Sequence, residues 1–401
     1  MTSVMLPIID EIQPELYFIL RHEIEQTFGK RITTSRDCIE LADEIYQRTS
    51  FKINANTLRR FFSLVKSQYP PSTATKNILT LYCGFSSFDE LAASKKTLSD
   101  GVNKDSAIFL KYLITLFKDT YLKHGNDETF TSIVMLTIKY LVANEGLAEN
   151  FQRAISKTKS GREYYYEKLP NIDKLNSFYG DGLRYYINES RLPEKKIYGY
   201  SLLCLRDWLN GNDSGLKTNF DVIRRLSLSK SAPQFIQGRY FAAHLLYISN
   251  AGINSSNVLA EAYKTHIALR PISGSPDLSQ TFEYSFSEAL ILTGNFEQAL
   301  YYIDFLLSTY PQASQKEQPL RNHLLLLKAI AKAKIGVQQE AEAIYYMINV
   351  SQFSFLSKKM SMVLALMLSR YIKAGTQDNL RQITELIDEL GFLRLRTLLG
   401  K

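Results

Sequence analysis

Cysteine is scarce in this chain. The three present, Cys38, Cys83 and Cys204, are too few, too far apart and odd in number for a disulfide framework. A reducing compartment, the cytoplasm, is therefore expected. Long apolar runs are missing as well: no stretch reaches the roughly 18 uncharged apolar residues that mark a membrane span. The opening MTSVMLPIIDEIQPE has no basic segment ahead of an apolar core, so no secretory signal is expected. Alternating Val, Ile and Thr runs joined by tight turns are rare, and the pairs Asp100-Gly101 and Asp181-Gly182 both sit between helical patterns. Motifs of catalysis and metal binding are absent too. His22, His124, His244, His266 and His323 lie far apart, and HEIEQ (22–26) ends in Gln26 where a zinc-protease motif has its second His. GDGLRYY (180–186) follows no strand and lacks the third glycine of a dinucleotide fingerprint. Neither a phosphate-cradling GxxxxGK[ST] nor a GxSxG elbow occurs. No enzyme activity, metal or other cofactor is expected.

What remains reads as helix. Apolar residues make up 45% and charged residues 22% of the 401, the balance of an ordinary globular protein. At roughly 150 residues per domain, two or three domains are expected. YFILRHEIEQTF, CIELADEIYQRT, IFLKYLITLFKDTYL, FTSIVMLTIKYLV and MVLALMLSRYI place apolar residues at i, i+3, i+4 and i+7, so the expected fold class is all-α. TLSDGVNKDS (97–106) is short and turn-rich, and ends an N-terminal domain over 1–98. NESRLPEKK (188–196) is a second candidate boundary, between a helical bundle region (105–190) and a C-terminal part (195–401).

In that last part, helical segments end at Gly211, Gly252, Gly294, Gly336 and Gly375, spaced by 41, 42, 42 and 39 residues. A helix that closes in a tight turn favours glycine there, because the left-handed backbone carries no Cβ penalty. The regular spacing predicts stacked helix–turn–helix units of about 40 residues. FEYSFSEALILTGNFEQALYYIDFLLSTYP (282–311) is the clearest. With Gly294, Phe296, Ala299, Ile303, Leu306 and Pro311 it resembles the tetratricopeptide (TPR) family, and the next unit keeps Ala329, Gly336, Ala341, Tyr345 and Ile348. The family's first-helix Trp is missing, and the period exceeds its usual length of about 34, which insertions such as PQASQKEQ (311–318) explain. The resemblance implies a curved stack with a concave face. A helical bundle with ordinary glycine caps is the alternative.

Over residues 1–100 twelve Lys and Arg balance twelve Asp and Glu, but unevenly. Between Glu44 and Asp89 there is no acid, while Arg48, Lys52, Arg59, Arg60, Lys66 and Lys76 all lie there. Such a window is the footprint of a surface facing an anion, most often phosphate backbone. Ser35 is the expected cap of a helix RDCIELADEIYQR, and Asn54 of a second, ANTLRRFFSLVK. On the second, Leu58, Phe61, Phe62 and Val65 form the expected buried stripe, with Asn56, Arg59, Arg60, Ser63 and Lys66 opposite. Asn and Arg suit bidentate contacts to adenine and guanine edges, and a helix fits the major groove.

The run ELADEI, a turn, NTLRRFF, PPST and NILTLYCGFSSFDEL resembles the Cro and phage-repressor helix-turn-helix family, with Ile78, Leu81, Gly84, Phe85 and Leu91 matching its last part. The resemblance places Asn56, Thr57, Arg59, Arg60 and Lys66 on a recognition helix and implies double-stranded DNA as partner. Ser63, Arg48, Lys52 and Lys76 complete the candidate DNA-binding set. The inter-helix turn is longer than the family's, and its phosphate-clasping Gln is missing. A solvated basic face used for packing or protein contact is the other reading of these residues.

Counting back from the turn glycines puts Arg239, Asn250, Tyr284, Glu288, His323, Lys334, Ser369 and Lys373 on the expected concave side, a mixture suited to an extended peptide. Residues 164–200 hold eight tyrosines beside Arg162, Lys168, Arg184 and Lys195, which either pack helices together or stack on RNA or a peptide. The whole plan resembles bacterial transcription regulators that join a helix-turn-helix to TPR repeats. It implies a DNA-binding regulator whose repeats bind a peptide or protein partner or mediate a homodimer. The alternative is a non-enzymatic cytosolic adaptor that binds no DNA and meets an acidic partner through the basic window. No membrane partner is expected.

Overall fold

Every regular element among the described residues is helical. The structure, a computed structural model, describes all residues except 1–13, 31, 33, 63, 66–70, 89, 92–107, 121–126, 270–276, 312–316, 373–376, 400 and 401. The fold is all-α, as the 3.6-residue apolar period requires. The chain divides into two compact units, Met1–Phe109 and Leu110–Lys401.

The first unit contains α1 (Pro14–Phe28), α2 (Ser35–Thr49), α3 (Ala55–Phe61) and α4 (Thr73–Tyr82). On α2, Cys38, Leu41 and Ile45 share one face and are buried. They join Leu20 and Ile24 of α1, Leu58 and Phe61 of α3, and Leu79 and Tyr82 of α4 in a single core. Thr34 caps α2, not the expected Ser35. Asp37 stands three residues after Thr34, so its amide donates to Thr34 Oγ1 (3.2 Å) while the Thr34 amide donates to the Asp37 carboxylate (2.7 Å). Asn54 caps α3 as expected, accepting from the Asn56 amide at 2.8 Å.

α3 is shorter than expected, seven residues long, and the predicted stripe breaks with it. Leu58 and Phe61 are buried, Phe62 is half-buried, and Val65 is 50% exposed. Adjacent residues point about 100° apart on a helix, so Phe61 and Phe62 cannot share one buried line. Ending the helix lets Phe62 turn edge-on to Phe61, with ring centres 5.3 Å apart.

The second unit begins within a helix over 108–119 (α5), followed by α6 (Glu128–Ala143), α7 (Ala148–Ile155), a π-helical turn Gly161–Lys168, a 3-10 turn Ile172–Lys174 and α8 (Phe178–Glu189). A π turn is wider than an α turn, and here it directs Tyr164, Tyr165 and Tyr166 all inward. With Tyr179, Tyr186 and Tyr198 they are fully buried. Tyr179 and Tyr198 both donate to the Tyr166 carbonyl at 2.9 Å, and Tyr186 donates to Glu167 at 2.9 Å. Glu167 is itself paired with Lys195 at 2.5 Å. Six of the eight tyrosines are thus core, which removes them as a stacking surface for RNA or a peptide.

Five hairpins follow. They are α9 (Pro193–Asn210) with α10 (Asp213–Ile223), α11 (Gln234–Asn250) with α12 (Ser256–Ala268), α13 (Phe282–Leu292) with α14 (Phe296–Thr309), α15 (Gln318–Lys334) with α16 (Gln338–Met347), and α17 (Lys358–Tyr371) with α18 (Gln377–Leu390). First helices of successive hairpins pack side by side and each second helix packs on its own first, giving two layers. One core runs from Leu110 to Leu395, without interruption at 188–196. Gly211, Gly252, Gly294 and Gly336 all close their helices with positive φ, between 66° and 86°. At Gly294 the Asn295 amide donates to the Leu290 carbonyl (2.9 Å) and the Gly294 amide to Ile291 (3.2 Å), so the last carbonyls are satisfied. Gly375 lies outside the described residues.

The last hairpin meets the start of the stack. The Asp173 carboxylate accepts the Lys359 and Met360 amides at the head of α17, at 2.8 and 3.0 Å, and the Asp173 amide donates to the Leu356 carbonyl at 3.0 Å. A final helix, α19 (Arg394–Leu399), packs on α9, and Arg394 pairs with Asp213 at 2.6 Å. No helix among the described residues is long and apolar enough to cross a membrane.

Candidate functional site

In the first unit the anchoring of Leu58 and Phe61 in the core turns the rest of α3 outward. Arg60 and Asn56 are exposed and Thr57 is half-buried. Arg60 has no carboxylate partner among the described residues. Arg59 differs from it: it is half-buried, its Nη1 donates to Asn56 Oδ1 at 2.7 Å, and its buried Nε has no partner. Asn56 and Arg59, expected to read bases side by side, hold each other instead.

Arg48 is exposed but committed. Its Nη2 lies 3.0 Å from Glu44 Oε1, and its guanidinium stands over the Tyr82 ring at 5.3 Å. Glu44 bounds the acid-free window, and the charge count alone does not show that it reaches back to Arg48. Its spacing of four residues from Arg48 was the available signal, since a Glu one helical turn before an Arg pairs with it. Glu44 also accepts from the Tyr82 hydroxyl at 2.8 Å, which fixes the carboxylate in place. Lys52 and Lys76 lie over the Tyr46 and Phe88 rings, at 5.5 and 5.2 Å, with no acid beside them among the described residues. The negative face of each ring attracts the ammonium. Ser63 and Lys66 lie outside the described residues.

In the second unit, Arg239 and Glu288 face each other across α11 and α13 with 3.8 Å between Nη1 and Oε2, both largely buried. Tyr284 stands next to His323, ring centres 6.1 Å apart, and His323 Nδ1 lies 3.1 Å from Ser361 Oγ. Burial holds the His323 pKa below the ordinary imidazole value, against the pull of Glu288. These four residues form one polar row across three neighbouring first helices. Asn250 lies apart from it, accepting a hydrogen bond from Arg394. Ser369 is buried, donates to the Leu366 carbonyl at 2.7 Å and accepts from Asn379 at 3.0 Å, so α18 covers it. Lys373 lies outside the described residues.

Lys334 lines a cavity of about 770 Å³ between the C-terminal ends of α9, α11, α13, α15 and α17 and the start of α19. Trp208, Phe296, Leu364, Met367 and Tyr371 supply much of its wall, and nothing in the reading of the sequence pointed to it as one site. The walls come from residues as distant as 208 and 397, and no local pattern links them. Among the described residues no three His, Cys, Asp or Glu side chains gather as a metal site requires.

Comparison with known proteins finds no family model, no curated protein and no solved structure that matches this chain.

Proposed function

We propose that the chain is a DNA-binding transcription regulator, not an enzyme, with α2 and α3 as the two helices of a helix-turn-helix. The observation that carries this is the outward face of α3. Arg60 and Asn56 are exposed there, backed by a buried Leu58 and Phe61, inside a segment that has no acid from 45 to 88. An unpaired cation on a core-anchored helix meets the need for phosphate attraction, and the Asn56 NH2, which Arg59 does not use, is left for a base edge. The TPR-like hairpin stack is read as the sensing part. Arg239, Glu288 and His323 of its polar row are largely buried, so a peptide or protein partner, or a second copy, is read as meeting the exposed surface of the stack. A homodimer fits a module that reads only a half-site.

Selection of bound sequences from random duplex DNA with the full chain tests the reading. Enrichment of a defined, two-fold related sequence is expected. No enrichment, with retention of protein partners after nuclease treatment, refutes it in favour of an adaptor whose basic window meets an acidic protein.

A further inference from the structure

The cavity beside Lys334 has a lining that DNA recognition does not use. Its walls are mainly apolar, and among the described residues Lys334 and Arg394 contribute to them but no Asp or Glu does. The two cations are not equivalent. Arg394 is occupied, with Asp213 at 2.6 Å, a hydrogen bond to Asn250 and the Trp208 ring 4.9 Å away. Lys334 has no carboxylate among the described residues. Its ammonium stands 3.7 Å from the centre of the Tyr371 ring, and burial holds its pKa below the usual lysine value.

A helix-end hydrogen bond does not account for Lys334. It lies in the last turn of α15, but the carbonyls of Lys332 and Ala333 there already accept the Val337 and Gly336 amides at 2.9 and 3.3 Å. A partly desolvated ammonium in an apolar cavity, with no acid in its wall among the described residues, is complementary to an anion. At about 770 Å³ the cavity falls within the roughly 300–1,000 Å³ range of small-molecule sites.

We infer that this cavity binds a small monocarboxylate with an apolar body, its carboxylate on the Lys334 ammonium and its body against the wall that includes Trp208, Ile330, Leu364 and Met367. A free fatty acid and the C-terminus of a short apolar peptide both present this chemistry. The site stands whether or not α3 meets DNA, and whether or not the stack takes a protein partner.

Trp208 is the only tryptophan of the chain and lines this cavity, so its fluorescence in the folded protein is a local probe of the wall. Full-length protein is titrated with decanoate, 1-decanol and decylamine below their micellar concentrations, and with acetyl-trileucine bearing a free or an amidated carboxyl. A saturable change is expected with decanoate, with at least about tenfold weaker binding of decanol and decylamine, because the charge-assisted contact is lost. Lys334→Gln weakens decanoate by a similar factor and leaves the melting temperature in place. Binding of the free tripeptide but not the amide, with decanoate silent, identifies the peptide source, and the reverse identifies the fatty acid. Equal affinities for decanoate and decanol, an unchanged affinity in Lys334→Gln, or no saturable response to either carboxylate overturns the inference. None of these results bears on DNA binding.

Discussion

The salt dependence of DNA binding separates cations that are free from cations that are spoken for. Among the candidates, Lys52, Arg59, Arg60 and Lys76 have no carboxylate partner among the described residues, while Arg48 is paired with Glu44 at 3.0 Å. Each phosphate neutralised contributes about 0.9 to the slope of log affinity against log salt, so four contacts give about −3.6. That is a roughly 150-fold loss between about 50 and 200 mM salt. Arg60→Ala is predicted to flatten the slope to about −2.7. Glu44→Gln is predicted to act in the opposite sense. It frees Arg48 while its amide oxygen still accepts from Tyr82, and the slope steepens toward about −4.5. The assay is fluorescence anisotropy on a selected duplex over a salt series. If Glu44→Gln leaves the slope unchanged and Arg60→Ala does too, the basic window is not the binding face.

Two stability predictions concern the hairpin stack, each followed by urea titration with Trp208 fluorescence. Gly294→Ala meets no atom within 4 Å but keeps a φ of 81°, so a loss of about 1 kcal/mol from backbone strain alone is expected. Gly238→Ala would put a Cβ 2.4 Å from the Phe282 carbonyl oxygen and force α11 and α13 apart, a loss of about 1–3 kcal/mol; an unchanged midpoint would show that the helices are not in close contact. Burial lowers the His244 pKa to about 4, between the Phe220 and Tyr240 rings, whereas the unfolded chain protonates near 6.5. The folded state resists the proton, so this contribution is complete above pH 6.5 and drains away as pH falls toward 4, by about 2 kcal/mol after allowance for partial exposure. His244→Phe should flatten the fall between pH 7 and 5; an equal fall in both proteins refutes it.

Features set by near neighbours were legible in the sequence. The all-α class follows from apolar spacing, and the turns at Gly211, Gly252, Gly294 and Gly336 follow from the glycine penalty-free backbone. The cap at Asn54 was legible for the same reason, and the shift from Ser35 to Thr34 turned on where Asp37 could reach back. The length of α3 was not legible, because a helical period cannot show that two adjacent phenylalanines will settle their conflict by ending the helix. The tyrosine cluster was legible in part: helix packing was one of its two readings, but which rings turn inward depends on the π turn, and composition does not announce it. On the candidate DNA face, residue types were readable but their commitments were not. Arg59 bonding to Asn56 and Arg48 to Glu44 depend on side-chain geometry. The cavity at Lys334 was invisible, since its walls are far apart along the chain.

The clasp between Asp173 and the head of α17 spans 186 residues. Open solenoids grow or shrink by whole repeats, since each unit touches only its neighbours. Here the count of hairpins is locked: one more or one fewer would carry the α17 amides away from the carboxylate and α19 away from α9. The clasp also delays completion. During synthesis the early hairpins emerge with the Asp173 carboxylate still facing water, and the circuit shuts only after α17 has left the ribosome. Truncations within the last fifty or so residues should therefore loosen the stack at both ends at once, a cooperativity that linear repeat arrays do not have.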